Sequence, residues 1–144
     1  MGESDTDGKA LIMRELLAFI ADELSWLFNE GWFRIVDSGS RRRSNSVTLR
    51  SNATLFEIVN ENGEFSARIS SVEGDPDWFW IGVVFRLFLS EKPGSDVLDA
   101  GSAGRLRQVL EVVDARLGSV GDRKDLLAAL TEARSSRADE VFGV

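Results

Sequence analysis

Hydrophobic positions near the start of the chain recur at steps of three and four residues, the spacing of an amphipathic helix. This pattern begins after Asp7 and continues to Glu30. Asp7 is a suitable N-terminal cap, and the following Gly31 is a residue type that commonly ends helices. The sequence therefore predicts a helix over Asp7–Glu30 whose apolar face is formed by Ile12, Leu16, Phe19, Ile20, Leu24, Leu27 and Phe28.

Alternating apolar and polar residues then replace the helical spacing and predict four short strands. These strands span Trp32–Asp37, Val47–Arg50, Thr54–Asn60 and Glu64–Ser71. We expect the polar, arginine-rich segment Ser38–Ser46 to connect the first two strands. A two-residue loop at Ser51–Asn52 would join the next two and place Val47 and Leu49 on the same face as Phe56.

The pair Asn62-Gly63 lies between the last two predicted strands, and this dipeptide is a strong signal for a tight hairpin because both turn residues need positive φ. Such a turn places Glu57 opposite Arg68. A slip of one residue would exchange the two faces of the hairpin, so the apolar pattern supports this register. The buried face would carry Phe56, Ile58, Phe65, Ala67 and Ile69.

Three further helices are predicted after the strands. Asp75-Pro76-Asp77 has the composition of a helix start, with a capping Asp and a Pro in the first turn. The strongly apolar residues that follow predict a helix from Pro76 to about Ser90, although their aromatic and β-branched content also permits a strand. We expect a loop over Lys92–Gly101. Apolar spacing predicts the last two helices over Gly104–Leu117 and Asp122–Arg134.

These elements predict an α+β fold: an N-terminal helix, a four-stranded antiparallel β-meander, and then three helices on one face of the sheet. The chain has 144 residues, which is typical of one domain. We therefore expect a single domain over 1–144, with residues 1–7 and 136–144 as loose tails.

The composition excludes several kinds of chemistry. The sequence contains no Cys, His or Tyr, so it can form no disulfide, thiolate nucleophile or imidazole metal ligand. We expect no enzymatic activity, no cofactor and no metal site. The N-terminus is acidic and polar, unlike a secretory signal. The most hydrophobic segment, Trp78–Leu89, is too short to cross a bilayer. These features favour a cytoplasmic protein without a membrane association.

The charge of −7 is unevenly distributed along the chain. A basic segment over 34–50 is followed by an acidic segment over 57–77, and this separation favours a partner-binding surface. We define the acidic set as Glu57, Glu61, Glu64, Glu73, Asp75 and Asp77. We expect its members to share one end of the molecule, where a negative patch would attract a basic partner. The competing interpretation is a solvated turn and a helix cap.

Two other groups are alternative binding residues. The arginine set, Arg41, Arg42 and Arg43, would suit phosphate or RNA. Because the chain is acidic and no aromatic residue lies within this segment to stack a base, we do not expect nucleic-acid binding. The aromatic set, Trp78 and Trp80, begins the apolar segment Trp78–Leu89. That segment would form core, or would present an exposed strip to a partner or a second copy.

The succession of helix, Gly31-Trp32, meander with the turn Asn62-Gly63-Glu64-Phe65, and Ser70-Ser71 before further helices resembles the layout of small immunity proteins of bacterial polymorphic-toxin systems. The resemblance covers about residues 8–90. It implies a cytoplasmic, non-catalytic inhibitor that binds and masks a cognate toxin. Two alternatives remain open: an acidic secretion or assembly chaperone that binds its client as a homodimer, and an RNA-binding regulator that uses the arginine set.

Overall fold

The computed structural model of the chain describes residues 2–41, 44–91 and 94–142, with side chains described from Met13 to Val141 within those ranges. Helix α1 spans Gly2–Glu23 and is followed by a 3-10 helix over Ser25–Gly31. The prediction of one helix with Asp7 as its cap is therefore wrong at its start and at its end. The backbone leaves the α conformation at Leu24, where φ is −124°. Gly31 has a φ of +68°, as its predicted terminating role requires.

The predicted meander is confirmed. Its four antiparallel strands are β1 (Arg34–Arg41), β2 (Ser44–Arg50), β3 (Thr54–Glu61) and β4 (Glu64–Ser71). Asn62 and Gly63 both have positive φ. Glu57 lies opposite Arg68, in the predicted register. Arg50 pairs with Leu55, so the preceding loop is Asn52–Ala53 rather than Ser51–Asn52. The observed partner of each β2 residue is therefore two positions later in β3 than predicted, and a shift by two leaves every side chain on its predicted face.

The segment Ser38–Ser46 is mostly strand and not a connection, which corrects the sequence prediction. Strands β1 and β2 pair from Arg34 opposite Arg50 to Arg41 opposite Ser44. A bulge at Val36 interrupts the regular pairing. The sequence pattern did not predict this part of β1 because the strand is exposed along its whole length. A strand that faces water on both sides shows no alternation of apolar and polar residues.

The segment after the meander differs from the predicted helix over 76–90. Phe79–Trp80 form a short strand, β5, on the free edge of β4, and helix α2 begins only at Ile81 and ends at Leu89. Trp80 occupies the N-cap position without a side-chain cap bond. The prediction that Asp75 and Asp77 start the helix is therefore wrong. Pairing with β4 and burial of the Phe79 side chain outweigh the local capping signal.

The C-terminal part contains strand β6 (Val97–Leu98), helix α3 (Ala100–Leu117) and helix α4 (Val120–Phe142). Both α3 and α4 are longer than predicted, and β6 pairs with β4 inside the predicted loop over 92–101. Residues 136–142, expected as part of a loose tail, instead continue α4. Arg137 pairs with Asp96 at 3.0 Å and Glu140 pairs with Arg86 of α2, and these contacts hold that part of the helix to the domain.

The helices cover one face of the sheet. The inward residues Val47, Phe56, Ile58 and Ile69 are at most 1% exposed, whereas the outward neighbours in β2 and β3 are only partly buried. Strand β1 nevertheless stays exposed along its length, and Ile35 is 48% exposed although it lies opposite buried Leu49. The sheet therefore has a core face and an opposite face turned to solvent.

Candidate functional site

We call the solvent-turned side of the sheet the open face, and one row of paired residues runs across its centre. The register places Asp37, Thr48, Glu57, Arg68 and Trp80 side by side, one from each of the strands β1 to β5. Neighbouring strands lie about 4.8 Å apart, so this row is about 19 Å long. It joins residues that are up to 43 positions apart in the sequence.

Arg68 is the most highly connected residue in the row. Its Nε donates a hydrogen bond to Glu57 Oε1 at 2.7 Å. Its guanidinium carbon lies 4.5 Å from the centre of the Trp78 ring and 5.7 Å from that of Trp80. Directly opposed charges and cation–π contacts both stabilise such an arrangement. Because the partners lie on three different strands or loops, Arg68 fixes the two indoles relative to the sheet.

A depression of about 370 Å³ lies beside this cluster. Its floor and walls come from β1 to β5, including Gly39, Val59 and Trp80. Gly39 leaves room on β1 because it has no side chain. The depression is large enough for one or two side chains of a partner protein.

Trp80 also borders a second, mainly apolar groove of about 250 Å³ between α2 and α4. Val83 and Val141 contribute to its lining, and Val141 is 55% exposed. Trp80 itself is 40% exposed. It therefore forms a ridge between a polar depression on the sheet and an apolar groove beside the helices.

The acidic set does not form the single patch that the sequence suggested. Glu61 and Glu64 lie at the β3–β4 turn, whereas Glu73 and Asp75 follow the opposite end of β4. The eight residues of β4 separate these ends by about 24 Å. The sixth member, Asp77, pairs with Arg134 at 3.0 Å, and Glu57 lies mid-sheet against Arg68. The set is thus spread over the length of the sheet and does not form one patch.

The basic and acidic segments also meet in space. Arg41 lies opposite Ser44, Ser44 opposite Glu61, and Glu61 opposite Glu64, so the arginine set begins at the same end of the sheet as the acidic turn. The other members of the arginine set, Arg42 and Arg43, lie outside the described residues. Separation along the sequence therefore does not correspond to separation on the surface.

The aromatic segment is mostly core. Phe79, Ile81 and Phe85 are at most 1% exposed, so they cannot form the exposed strip that was one alternative for Trp78–Leu89. Trp80 is the member that remains accessible, and Trp78 is half-buried beside Arg68. One residue from each predicted set, namely Glu57, Arg41 and Trp80, borders the depression on the open face.

A partly buried polar cluster at the β2–β3 turn was not predicted. Asp114 of α3 accepts hydrogen bonds from Ser51 Oγ at 2.5 Å and Thr54 Oγ1 at 2.7 Å, both in or beside the β2–β3 turn. The Trp32 indole N–H donates to the same carboxylate. Nothing in the sequence links residues 60 to 82 positions apart, so no local signal could have found this cluster. All three donors are saturated within the protein, which gives Asp114 a role in stability.

Within the ranges that the structure describes, no group of three or more metal-ligating side chains comes together. No helix in the same ranges is both long and apolar enough to cross a bilayer. No protein-family model matches the sequence. Searches of curated proteins and of solved structures likewise give no significant match.

Proposed function

We propose that this chain is a non-catalytic protein-binding protein and, more specifically, an immunity-type inhibitor that binds a cognate bacterial toxin through the open face. The observation that carries the proposal is the position of Trp80. It is 40% exposed at the end of a polar row, and it borders two depressions. Interfaces commonly place an aromatic or arginine anchor among polar neighbours, and Trp is enriched among the residues that dominate binding energy.

The chemistry of the open face favours a folded partner over a small ligand. The depression is lined by charged, hydroxyl and apolar groups together, whereas the walls of small-ligand pockets are predominantly apolar. Arg68 is held between Glu57 and two indoles, so its side chain loses little freedom when a partner binds. Preorganised contacts of this kind reduce the entropic cost of association.

Masking would combine steric cover with charge. Trp80 would insert into an apolar pocket of the toxin, while Glu61 and Glu64 at the end of the sheet would oppose basic groups that the toxin uses on its own substrate. The charge of −7 would speed the encounter with a basic partner. This mechanism requires no movement of the sheet.

The test pairs the chain with the product of the gene adjacent to its own. We expect that product to be toxic when expressed alone and harmless when the chain is co-expressed. Trp80→Ala should raise the dissociation constant about 30-fold, the usual effect of removing a central Trp anchor. Val120→Ala is the control, because Val120 is 75% exposed on α4 and should alter affinity less than twofold.

Two outcomes would contradict the proposal. One is a neighbouring product that the wild-type chain neither binds nor neutralises. The other is full protection and unchanged affinity in Trp80→Ala, which would place the interface elsewhere on the molecule. Reversal of Glu61 and Glu64 to Lys should additionally weaken binding and reduce its salt dependence if these acids contact basic groups.

A chaperone for a secreted client is the second candidate, and the apolar groove beside Trp80 favours it. An amphipathic segment of an unfolded client could place an apolar side chain between Val83 and Val141. The two functions differ in the state of the partner. An inhibitor binds a folded, active toxin, whereas a chaperone binds its client before folding and loses it afterwards.

A further inference from the structure

Strand β1 presents an edge that no other described residue pairs with. Its single neighbour in the sheet is β2, and all of its eight residues are exposed. An exposed strand edge carries a row of backbone donors and acceptors, which makes it a template for a further strand. Proteins usually protect such edges with charges or bulges, so the positions of these features decide what the edge can accept.

The charges of β1 are complementary to themselves. Asp37 and Arg41 carry opposite charges, lie four residues apart on the open face, and flank Gly39 symmetrically. If two copies of β1 pair antiparallel with Gly39 opposite Gly39, each Asp37 faces Arg41 of the other copy. Directly opposed charges stabilise a strand pair, and the two-fold symmetry of a homodimer supplies this contact twice.

Other registers are less favourable. With the two-fold axis at Asp37, the two aspartates would face each other. With the axis between Asp37 and Ser38, Arg34 of each copy would face Arg41 of the other, which opposes like charges. Among the residues of β1 itself, Arg34–Arg41, the one other complementary register opposes Arg34 to Asp37, but it places the bulge at Val36 inside the pairing. Residues 37–41 contain no bulge, so the register centred on Gly39 combines regular backbone with favourable charge.

We infer that β1 pairs antiparallel with β1 of a second copy of this chain through residues 37–41, with the two-fold axis at Gly39. The pairing joins two sheets edge to edge and places their open faces on the same side. Asp37 Oδ1 accepts a hydrogen bond from its neighbour Ser38 N at 2.9 Å, so the carboxylate already lies along the backbone. In the dimer it exchanges this local bond for the guanidinium of Arg41.

Charge reversal tests the pairing directly. Sedimentation equilibrium of the full chain should show a monomer–dimer equilibrium at concentrations up to about 1 mM, where even weak contacts are populated. Asp37→Arg and Arg41→Asp should each raise the dimer dissociation constant about tenfold, because each reverses two symmetric contacts. The double variant should restore the wild-type constant to within about threefold.

Arg34→Asp is the matched control, since it reverses a charge on the same strand outside the proposed pairing. It should leave the dissociation constant within about twofold of wild type. A loss of dimer in Arg34→Asp that equals the loss in Arg41→Asp would overturn the proposed register. A dimer that ignores all of these charges, or a strictly monomeric wild type, would overturn the pairing itself.

A cross-link provides an independent measurement. The sequence has no cysteine, so Gly39→Cys introduces a single thiol at the proposed axis. The new Cβ would lie 3.3 Å from Ser46 Oγ, a side chain that can rotate away. Mild oxidation should convert Gly39→Cys largely to a disulfide-linked dimer, whereas exposed Gln108→Cys on α3 should remain mostly monomeric. Equal cross-linking of the two variants would contradict the proposal.

Discussion

The indole N–H of Trp32 donates a hydrogen bond to Asp114 Oδ2 at 2.8 Å. This bond joins the segment just before β1 to helix α3, across 82 positions of sequence. The same carboxylate accepts from Ser51 and Thr54, so it connects the start of the sheet and the β2–β3 turn to the helical layer. Ser51 and Thr54 are at most 3% exposed. Buried hydroxyls that lose their acceptor are costly, and this makes the carboxylate a sensitive position.

Removal of the Asp114 carboxylate should destabilise the fold. In Asp114→Ala, two buried hydroxyls and one indole lose a shared acceptor, and we expect the free energy of unfolding to fall by about 2–4 kcal/mol. Glu111→Ala, one turn earlier on α3, removes an exposed carboxylate and should change stability by less than about 0.5 kcal/mol. Urea unfolding of both variants measures the difference, and similar losses in the two would refute the role given to Asp114.

Gly82 of α2 should tolerate no side chain. Its N–H donates to Asp96 Oδ1 at 2.9 Å, and an added Cβ would lie 2.8 Å from the carbonyl oxygen of Gly94. Gly82→Ala should therefore cost about 2–3 kcal/mol through overpacking. Gly104→Ala is the matched control, because a Cβ there meets nothing within 4 Å and the site is helical.

The control should change stability in the opposite direction. Replacing a helical Gly by Ala stabilises by about 0.5–1 kcal/mol when no atom obstructs the new methyl group. Thermal unfolding of the two variants should thus give melting temperatures on opposite sides of the wild-type value. A stable Gly82→Ala protein would mean that the Gly94 loop can move away from α2.

The start of α3 depends on a reciprocal pair of capping bonds. Asp99 Oδ1 accepts from Ser102 N, and Ser102 Oγ accepts from Asp99 N, both at 2.9 Å. Asp99→Ala should lower the unfolding free energy by about 1 kcal/mol, whereas Asp99→Asn keeps an acceptor and should remain within a few tenths, about 0.3 kcal/mol, of wild type. Chemical denaturation checks this ordering, and an equal loss in both variants would point to the charge instead.

The Glu57–Arg68 pair should show measurable coupling in a double-mutant cycle. Both side chains are partly shielded, with exposures of 15% and 32%, and the bond is 2.7 Å long. We expect a coupling free energy of about 0.5–1 kcal/mol. The Arg107–Glu111 pair on α3 is over half exposed on both sides and 3.4 Å long, so its coupling should stay below about 0.3 kcal/mol. Indistinguishable values would contradict the ordered cluster on the open face.

Local sequence signals were sufficient to predict the β-meander, but they did not predict where the following helix α2 begins. The turn at Asn62-Gly63 and the alternation on either side fix each other, so the register of β3 and β4 could be predicted residue by residue, including Glu57 opposite Arg68. The start of α2 could not, because Asp75 and Asp77 have the composition of a cap while the backbone instead extends to pair Phe79 and Trp80 with β4. A strand pairing depends on the far partner, which no local window contains.

The candidate site divides in the same way. Glu57, Arg41 and Trp80 were each identified from composition, but as members of three separate groups; the register of five strands brings them to one depression. The acidic set was grouped because its members are close in sequence, and the length of β4 separates them.

The sequence by itself determined the α+β class, the antiparallel meander and the choice of buried face, because alternation, turn conformation and helical spacing act over a few residues. Only the tertiary structure decided where α2 begins, which residues share the open face, and that Asp114 joins α3 to Trp32. Those features depend on contacts between residues tens of positions apart, whose free energies outweigh local preference once the core has formed.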